Sequence, residues 1–150
     1  MEDLRELYQQ VILDHNKNPK NFRALNAPSH TSEGYNPLCG DRINIYLSVE
    51  DDIIKDISFQ GSGCAISKAS ASVMTTELKG KTIAEAKQLF EKFQKLITGK
   101  LDEDSHLMEF DKLAVFTGVR QFPVRVKCAA LAWHTMLAAL KNESDIVSTE

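Results

Sequence analysis

The chain has 150 residues, enough for one domain with a substantial core, and we expect a single domain over residues 1–150. Hydrophobic residues make up 43% and charged residues 26%, as in ordinary globular proteins. The net charge of −3 is spread along the chain, which argues against nucleic acid as a partner, and no apolar run is long enough to suggest a membrane span.

The chain is predicted to begin with a helix over residues 2–15. Apolar residues recur there at spacings of three and four, which gives the helix one hydrophobic face. Asn18 and Pro19 are expected to end it. The polar stretch that follows, up to about residue 31, has no usable period and is predicted to be a loop.

A β-hairpin is predicted next. Residues 42–48 alternate between apolar and polar side chains, which is typical of a half-buried strand. Acidic residues at 50–52 indicate a turn, and residues 53–59 return as the second strand. A short strand at 33–36 is expected to pair alongside.

The remainder of the chain is predicted to be helical. One helix runs from about residue 64 to 79, and a capping-box pattern at 82–85 begins a second that reaches about residue 97. After a charged loop at 99–105, a short helix is expected before Gly118, and Pro123 suits the first turn of a final helix that ends near residue 140. Strands followed by helices predict an α+β fold, with a small antiparallel sheet of about three strands and helices packed on one face.

The three cysteines are predicted to lie where elements begin or end. Cys39 precedes the first long strand, Cys64 follows the second, and Cys128 lies in the first turns of the last helix. The hairpin by itself brings Cys39 and Cys64 to the same end of the sheet, with Asp41 on the same edge. Thiolates and a carboxylate suit zinc or an iron–sulfur cluster. None of the spacings is a CxxC pair, and a free cysteine taken alone is more often a core filler than a metal ligand.

The location of the protein bears on these cysteines. The first ten residues carry acidic side chains where a signal peptide is positively charged, and no apolar segment follows them. We therefore expect a cytoplasmic protein. In the reducing cytosol three cysteines remain thiols, so they are core fillers, reactive groups or metal ligands rather than a disulfide framework.

Three segments carry a resemblance to a known family: PLCGDRI at 37–43, GSGCAIS at 61–67 and FPVRVKCAALAW at 122–133. They resemble the signature segments of the IscU/NifU-like iron–sulfur cluster assembly family. The chain is most similar to the SufU branch, because Lys127 stands where IscU scaffolds have a histidine before the third cysteine. The stretch at 99–119 also looks like the additional segment of that branch.

The resemblance implies a SufE/NifU-like fold and a zinc ion held by the side chains of Cys39, Asp41, Cys64 and Cys128. It implies the cysteine desulfurase SufS as partner, with other components of the Suf system. In this family the desulfurase offers a histidine to the zinc and displaces the thiolate at the position of Cys39. That thiolate then accepts persulfide sulfur, which would make the chain a zinc-dependent sulfurtransferase acting with its partner.

Two alternatives remain open on the same residues. One is a scaffold that assembles and transfers a [2Fe–2S] cluster, with iron or the cluster in place of zinc. The other is a zinc site whose only role is in folding. Arg125 lies on roughly the same helix face as Cys128 and is a candidate for docking the partner or stabilising the anionic site, and Lys127 is a candidate for offsetting its charge. A solvated surface role is the alternative for both.

Overall fold

The structure, a computed structural model, describes residues 2–99, 111–141 and 147–148. The elements in chain order are α1 (Glu2–Lys17), β1 (His30–Asn36), β2 (Asp41–Glu50), β3 (Ile53–Ser62), α2 (Ala65–Leu78), α3 (Ile83–Thr98), a 3₁₀ helix (Asp111–Gln121), α4 (Pro123–Leu140) and β4 (Val147–Ser148). The predicted order of helix, hairpin and further helices is confirmed, and with it the α+β class. Among the described helices, none is both long and apolar enough to cross a bilayer.

Within the described residues the sheet has the strand order β3-β2-β1-β4. β2 pairs antiparallel with both β1 and β3, which confirms the predicted three-stranded antiparallel sheet. The sequence did not predict β4, a two-residue strand that runs parallel to β1. Asn36 pairs with Asp41, and Arg42 pairs with Ser62. The start of β2 therefore lies between the ends of β1 and β3, at one edge of the sheet.

The core lies between the sheet and the helices that cover one of its faces. Ile43, Ile45 and Leu47 alternate along β2 and are fully buried, as the period of two predicts. Trp133 of α4 is fully buried and stacks on Phe93 of α3 with ring centroids 4.6 Å apart. Each such side chain stabilises the fold by about 1.5–3 kcal/mol relative to exposure.

Close packing of α4 on β1 depends on Gly34. A Cβ atom at this position would lie 2.0 Å from Thr135 Oγ1 and 3.0 Å from Leu131 Cδ1, so only glycine admits the helix at this distance. Because α4 lies directly against β1, the first turns of α4 reach the sheet edge at which β1 ends. This contact carries Cys128 to the same edge as the start of β2.

The helix boundaries follow their capping residues. The capping box between Thr82 and Glu85 is present, as predicted. Pro123 is the first residue of α4, also as predicted. The prediction of a short helix that ends before Gly118 was wrong, because the 3₁₀ helix continues to Gln121. Most of the predicted loop at 99–105 lies outside the described residues.

Candidate metal centre

Three potential ligands from three parts of the fold meet at this sheet edge. Cys39 lies in the connection between β1 and β2, Asp41 is the first residue of β2, and Cys128 belongs to α4. One carboxylate oxygen of Asp41 and the two Sγ atoms all lie within 4.8 Å of one another, and the Sγ atoms are 3.2 Å apart. A tetrahedral zinc ion with bonds of about 2.0–2.3 Å needs donor atoms roughly 3.5 to 4 Å apart. Small side-chain adjustments would bring these donors to that spacing.

Cys64 lies beside this group but is not part of it. Its backbone N–H donates a hydrogen bond of 2.7 Å to Asp41 Oδ1, and its Sγ lies 3.9 Å from Asp41 Oδ2. The thiol is the N-cap of α2 and accepts a hydrogen bond of 3.4 Å from the Ser67 N–H. Of the four ligands predicted from the sequence, the structure brings three within mutual reach and leaves the fourth in contact with Asp41.

The contact between Asp41 and Cys64 requires Gly63. A Cβ atom on this residue would lie 2.2 Å from Asp41 Oδ1, and its φ of +149° is one that other residues rarely adopt. The backbone can therefore pass directly over the carboxylate, and the Cys64 N–H can point at it.

The three cysteines differ in exposure. Cys128 is 1% exposed, Cys64 is half-buried and Cys39 is exposed. Asp41 is fully buried. A reagent or partner arriving from solvent would therefore meet the Cys39 thiol first, while Asp41 and Cys128 form the floor of the site.

The buried carboxylate is balanced by hydrogen-bond donors. Asp41 Oδ1 accepts the Cys64 N–H, and Asp41 Oδ2 accepts a hydrogen bond of 3.3 Å from Asn36 Nδ2. The same Asn36 Nδ2 lies 3.5 Å from Cys128 Sγ. Burial without such donors would cost several kcal/mol, on the order of the desolvation of a carboxylate. Both oxygens of the buried Asp41 side chain therefore have hydrogen-bond donors.

Two of the thiols have opposed pKa shifts. The hydrogen bond with Cys128 lowers the pKa of Cys64 to about 7, assisted by the Ser67 N–H and opposed by burial. The same interaction raises the pKa of Cys128, and burial raises it further. Of the two thiols, Cys64 therefore loses its proton more readily than Cys128.

An open cavity of about 540 Å³ lies over the thiols. Its lining is mostly apolar and consists of Cys39, Cys64, Ala65, Ile66, Phe122, Pro123, Val124, Arg125 and Cys128. Phe122 and Val124 are each 46% exposed. The Arg125 guanidinium lies 4.6 Å from the centre of the Phe122 ring, at the rim. Lys127, also proposed from the sequence, is half-buried and does not line the cavity.

Comparison with known proteins assigns the family. Residues 7–147 match the model of the NifU-like N-terminal domain. The chain belongs to this family. The resemblance inferred from the three sequence segments is thereby confirmed.

Several relatives of this NifU-like domain are similar over nearly its whole length. It is 41% identical to the zinc-dependent sulfurtransferase SufU of Bacillus subtilis (strain 168), over 94% of each chain. It is 39% identical to the iron–sulfur cluster assembly scaffold protein IscU of Thermotoga maritima, over 92% of this chain and 95% of the relative. A solved structure from Fervidobacterium islandicum, described as a putative scaffold protein for the SUF system, superposes with a TM-score of 0.79 at 34% identity, covering 87% and 94% of the two chains.

Asn36 takes part in this NifU-like site, yet the sequence did not indicate it as a site residue. It lies in a strand without apolar alternation, and asparagine is not a common zinc ligand. Its contacts with Asp41 and Cys128 depend on the strand register and on the position of α4. The available signal was sequence proximity, since Asn36 precedes Cys39 by three residues.

Proposed function

We propose that this chain is an iron–sulfur cluster assembly protein that accepts persulfide sulfur from a cysteine desulfurase at Cys39, with zinc as its resident metal. The observation that carries the proposal is the exposed Cys39 thiol 3.2 Å from the buried Cys128 thiol and within reach of Asp41. The similarity to a zinc-dependent sulfurtransferase of Bacillus subtilis supports it.

The donor set fits zinc. Cys39, Asp41 and Cys128 supply two soft sulfur ligands and one oxygen at close quarters, and Cys64 is adjacent to Asp41. When bound, zinc would keep the thiols deprotonated and restrain their nucleophilicity. Asp41, Cys64 and Cys128 would remain as ligands when Cys39 is released to react, because all three are less exposed than Cys39.

The sulfur transfer itself is a thiol exchange. The Cys39 thiolate attacks the terminal sulfur of the partner's cysteine persulfide and forms a new S–S bond. The bond between that sulfur and the partner's cysteine breaks, and its electron pair remains on the partner's cysteine as a thiolate. One sulfur atom moves, no external oxidant or reductant is consumed, and Cys39 carries the persulfide.

The surface around Cys39 suits a protein partner. Leu38 is 56% exposed, and with Phe122 and Val124 it provides exposed apolar area beside the thiol. Arg125 adds one positive charge at the rim. We take the partner to be the desulfurase SufS, working with other Suf components in the cytoplasm, where free thiols persist.

Detection of the persulfide tests the proposal. The purified protein is mixed with SufS and cysteine, trapped with an alkylating agent and analysed by site-resolved mass spectrometry. We expect one added sulfur atom on Cys39, and none in the same mixture without cysteine. Absence of a persulfide on Cys39, together with unimpaired sulfur transfer by Cys39→Ala, would exclude the acceptor role.

A [2Fe–2S] scaffold is the second candidate, because the same donors can hold iron and a relative from Thermotoga maritima is named a scaffold protein. Lys127 favours the acceptor, since a histidine at this position would supply a further ligand and proton carrier. Anaerobic reconstitution in the presence of zinc, followed by visible absorption, separates the two functions. A stable cluster that is passed to an acceptor protein would favour the scaffold.

A further inference from the structure

We infer that Asn36 is a positioning residue that ties the two buried ligands, Asp41 and Cys128, together and leaves Cys39 as the ligand free to depart. The inference rests on the proposed function, because it explains why one of the thiols rather than another receives the sulfur. The Asn36 side chain would neither coordinate the metal nor accept the transferred sulfur atom.

Asn36 uses every part of its amide. Its Nδ2 lies 3.3 Å from Asp41 Oδ2 and 3.5 Å from Cys128 Sγ, so its two hydrogens have two acceptors. Its Oδ1 accepts a hydrogen bond of 3.2 Å from the Leu38 N–H. This last bond fixes the orientation of the amide, since a backbone N–H must meet the oxygen and not the nitrogen. Asn36 is fully buried, so water does not replace these partners.

These hydrogen bonds fix the backbone at some positions of the loop that carries Cys39 and leave it unrestrained at others. The backbone is anchored at Leu38 by the hydrogen bond from its N–H to the side-chain Oδ1 of Asn36, and from Asp41 onward by pairing in the sheet. Cys39 and Gly40 lie between these anchors and are both exposed. Gly40 has φ +71° and open space around it, so the loop can change conformation there. Cys39 can therefore move without breaking any hydrogen bond of Asn36.

Asn36 also compensates charge. A zinc ion with three thiolates and one carboxylate would carry a net charge of −2. A hydrogen bond to a negatively charged ligand is stronger than one to a neutral ligand, and it also fixes the orientation of the ligand. Because the amide donates to Asp41 and Cys128, it stabilises these two in their binding positions. Without it, the Asp41 carboxylate and the Cys128 sulfur would lose the hydrogen-bond donor that they share.

Replacement of Asn36 by leucine tests the inference, because leucine has similar size and no hydrogen-bonding groups. Loss of a hydrogen bond behind a metal ligand typically weakens binding about 10–100-fold. We expect that decrease in zinc affinity for Asn36→Leu, measured by competition with a chromophoric chelator. The absorption bands of the cobalt(II)-substituted protein should also shift, which a general loss of stability would not cause. The matched control is Asn44→Leu, a half-buried asparagine on β2 that should bind zinc within about twofold of the parent.

A measurement without metal separates this inference from the proposed function. Alkylation rates of the three cysteines are compared in metal-free protein by site-resolved mass spectrometry. In the parent, Cys128 should react slowest of the three, because it is buried. Asn36→Leu should raise the rate at Cys128 several-fold, and Asn44→Leu should not.

Unchanged zinc affinity and unchanged Cys128 alkylation in Asn36→Leu would overturn the inference. If the parent protein binds no zinc or accepts no sulfur, the proposed function fails, and Cys128 alkylation alone then decides the role of Asn36. If circular dichroism shows that Asn36→Leu does not fold, Asn36→Ser is measured in the same way, since its shorter side chain cannot reach both ligands.

Discussion

The exposure of Cys39 follows from the short connection that carries it. The thiol lies between the end of β1 and the start of β2, next to a glycine with positive φ, and both residues are exposed. Cys128 has the same chemistry but is covered by the packing of α4 on the sheet. The difference in role that we assign to the two thiols is therefore a difference in backbone environment.

Gly63 offers a test of the site at a single atom. In Gly63→Ala the new Cβ would overlap Asp41 Oδ1 and the backbone would be strained. We expect a loss of about 1–3 kcal/mol in the free energy of unfolding of the metal-free protein. Zinc affinity should also fall about 10-fold or more because the carboxylate is displaced. Chemical denaturation and chelator competition measure the two effects.

Gly80 provides the control for Gly63. It also has positive φ, at +88°, but a Cβ atom there would meet nothing within 4 Å. Gly80→Ala should therefore cost only the backbone strain, about 1–2 kcal/mol, and leave zinc affinity unchanged. Equal zinc affinity in the two variants would contradict the role assigned to Gly63.

His134 is expected to make stability depend on pH. It is half-buried on α4 against the Phe90 ring, with centroids 5.1 Å apart, and burial lowers its pKa below the usual 6.5. The unfolded chain then binds the proton more readily than the native protein. Stability contributed by neutral His134 is complete above about pH 6.5 and is lost as the pH falls through the lower native pKa.

The comparison that checks this is the free energy of unfolding of metal-free protein at several pH values. His134→Gln should lose less stability on acidification than the parent, because glutamine does not titrate. Equal losses in the two proteins would show that His134 is not responsible.

At the scale of elements, β1 shows why some structure escaped prediction. Its sequence, HTSEGYN, lacks alternating apolar residues, so only residues 33–36 were expected to be a strand. The inward positions are occupied by Gly34 and Asn36, one admitting α4 and the other facing the site. β1 therefore lacks the inward-facing apolar residues at alternate positions by which a strand is predicted from sequence. β2, with Ile43, Ile45 and Leu47, kept that signal and was predicted well.

The start of α4 should contribute to partner binding. Phe122, at the N-cap of α4, is 46% exposed and lines the cavity above the thiols. We expect Phe122→Ser to raise the KM of the desulfurase for this protein at least about 10-fold, with little change in kcat, because exposed aromatic residues often dominate protein interfaces. Steady-state sulfur transfer at a fixed desulfurase concentration and varied concentrations of this protein measures this.

Leu13 supplies a matched surface position for that experiment. It is 50% exposed on α1 and is not among the cavity-lining residues. Leu13→Ser should leave KM unchanged. A KM for Phe122→Ser equal to that of the parent would show that the exposed Phe122 ring does not contribute to partner binding.

For the whole molecule, the part of the site formed by the hairpin could be predicted from the sequence pattern, and the part formed by helix packing could not. The hairpin register brings Asp41 and Cys64 together, and this was foreseen from local pattern alone. The position of Cys128 depends on how α4 crosses the sheet, a contact between residues about ninety positions apart that no local pattern encodes. Only the family resemblance predicted it. The role of Asn36, which contacts both Asp41 and Cys128, was not predicted because it also depends on the position of α4.

A shared metal would therefore join parts of the fold that are remote in sequence. Ligands on the β1–β2 connection, on β2, at the N-cap of α2 and on α4 would be held by one ion, and binding free energy would add to folding free energy. Release of the one exposed ligand should cost the fold little stability, because the less exposed ligands would stay bound.

Metal analysis of the protein purified without added metal tests the central claim most directly. We expect about one zinc ion per chain with little iron, and loss of that zinc in Cys128→Ala. Protein that is folded but contains no metal, or iron in place of zinc, would contradict it.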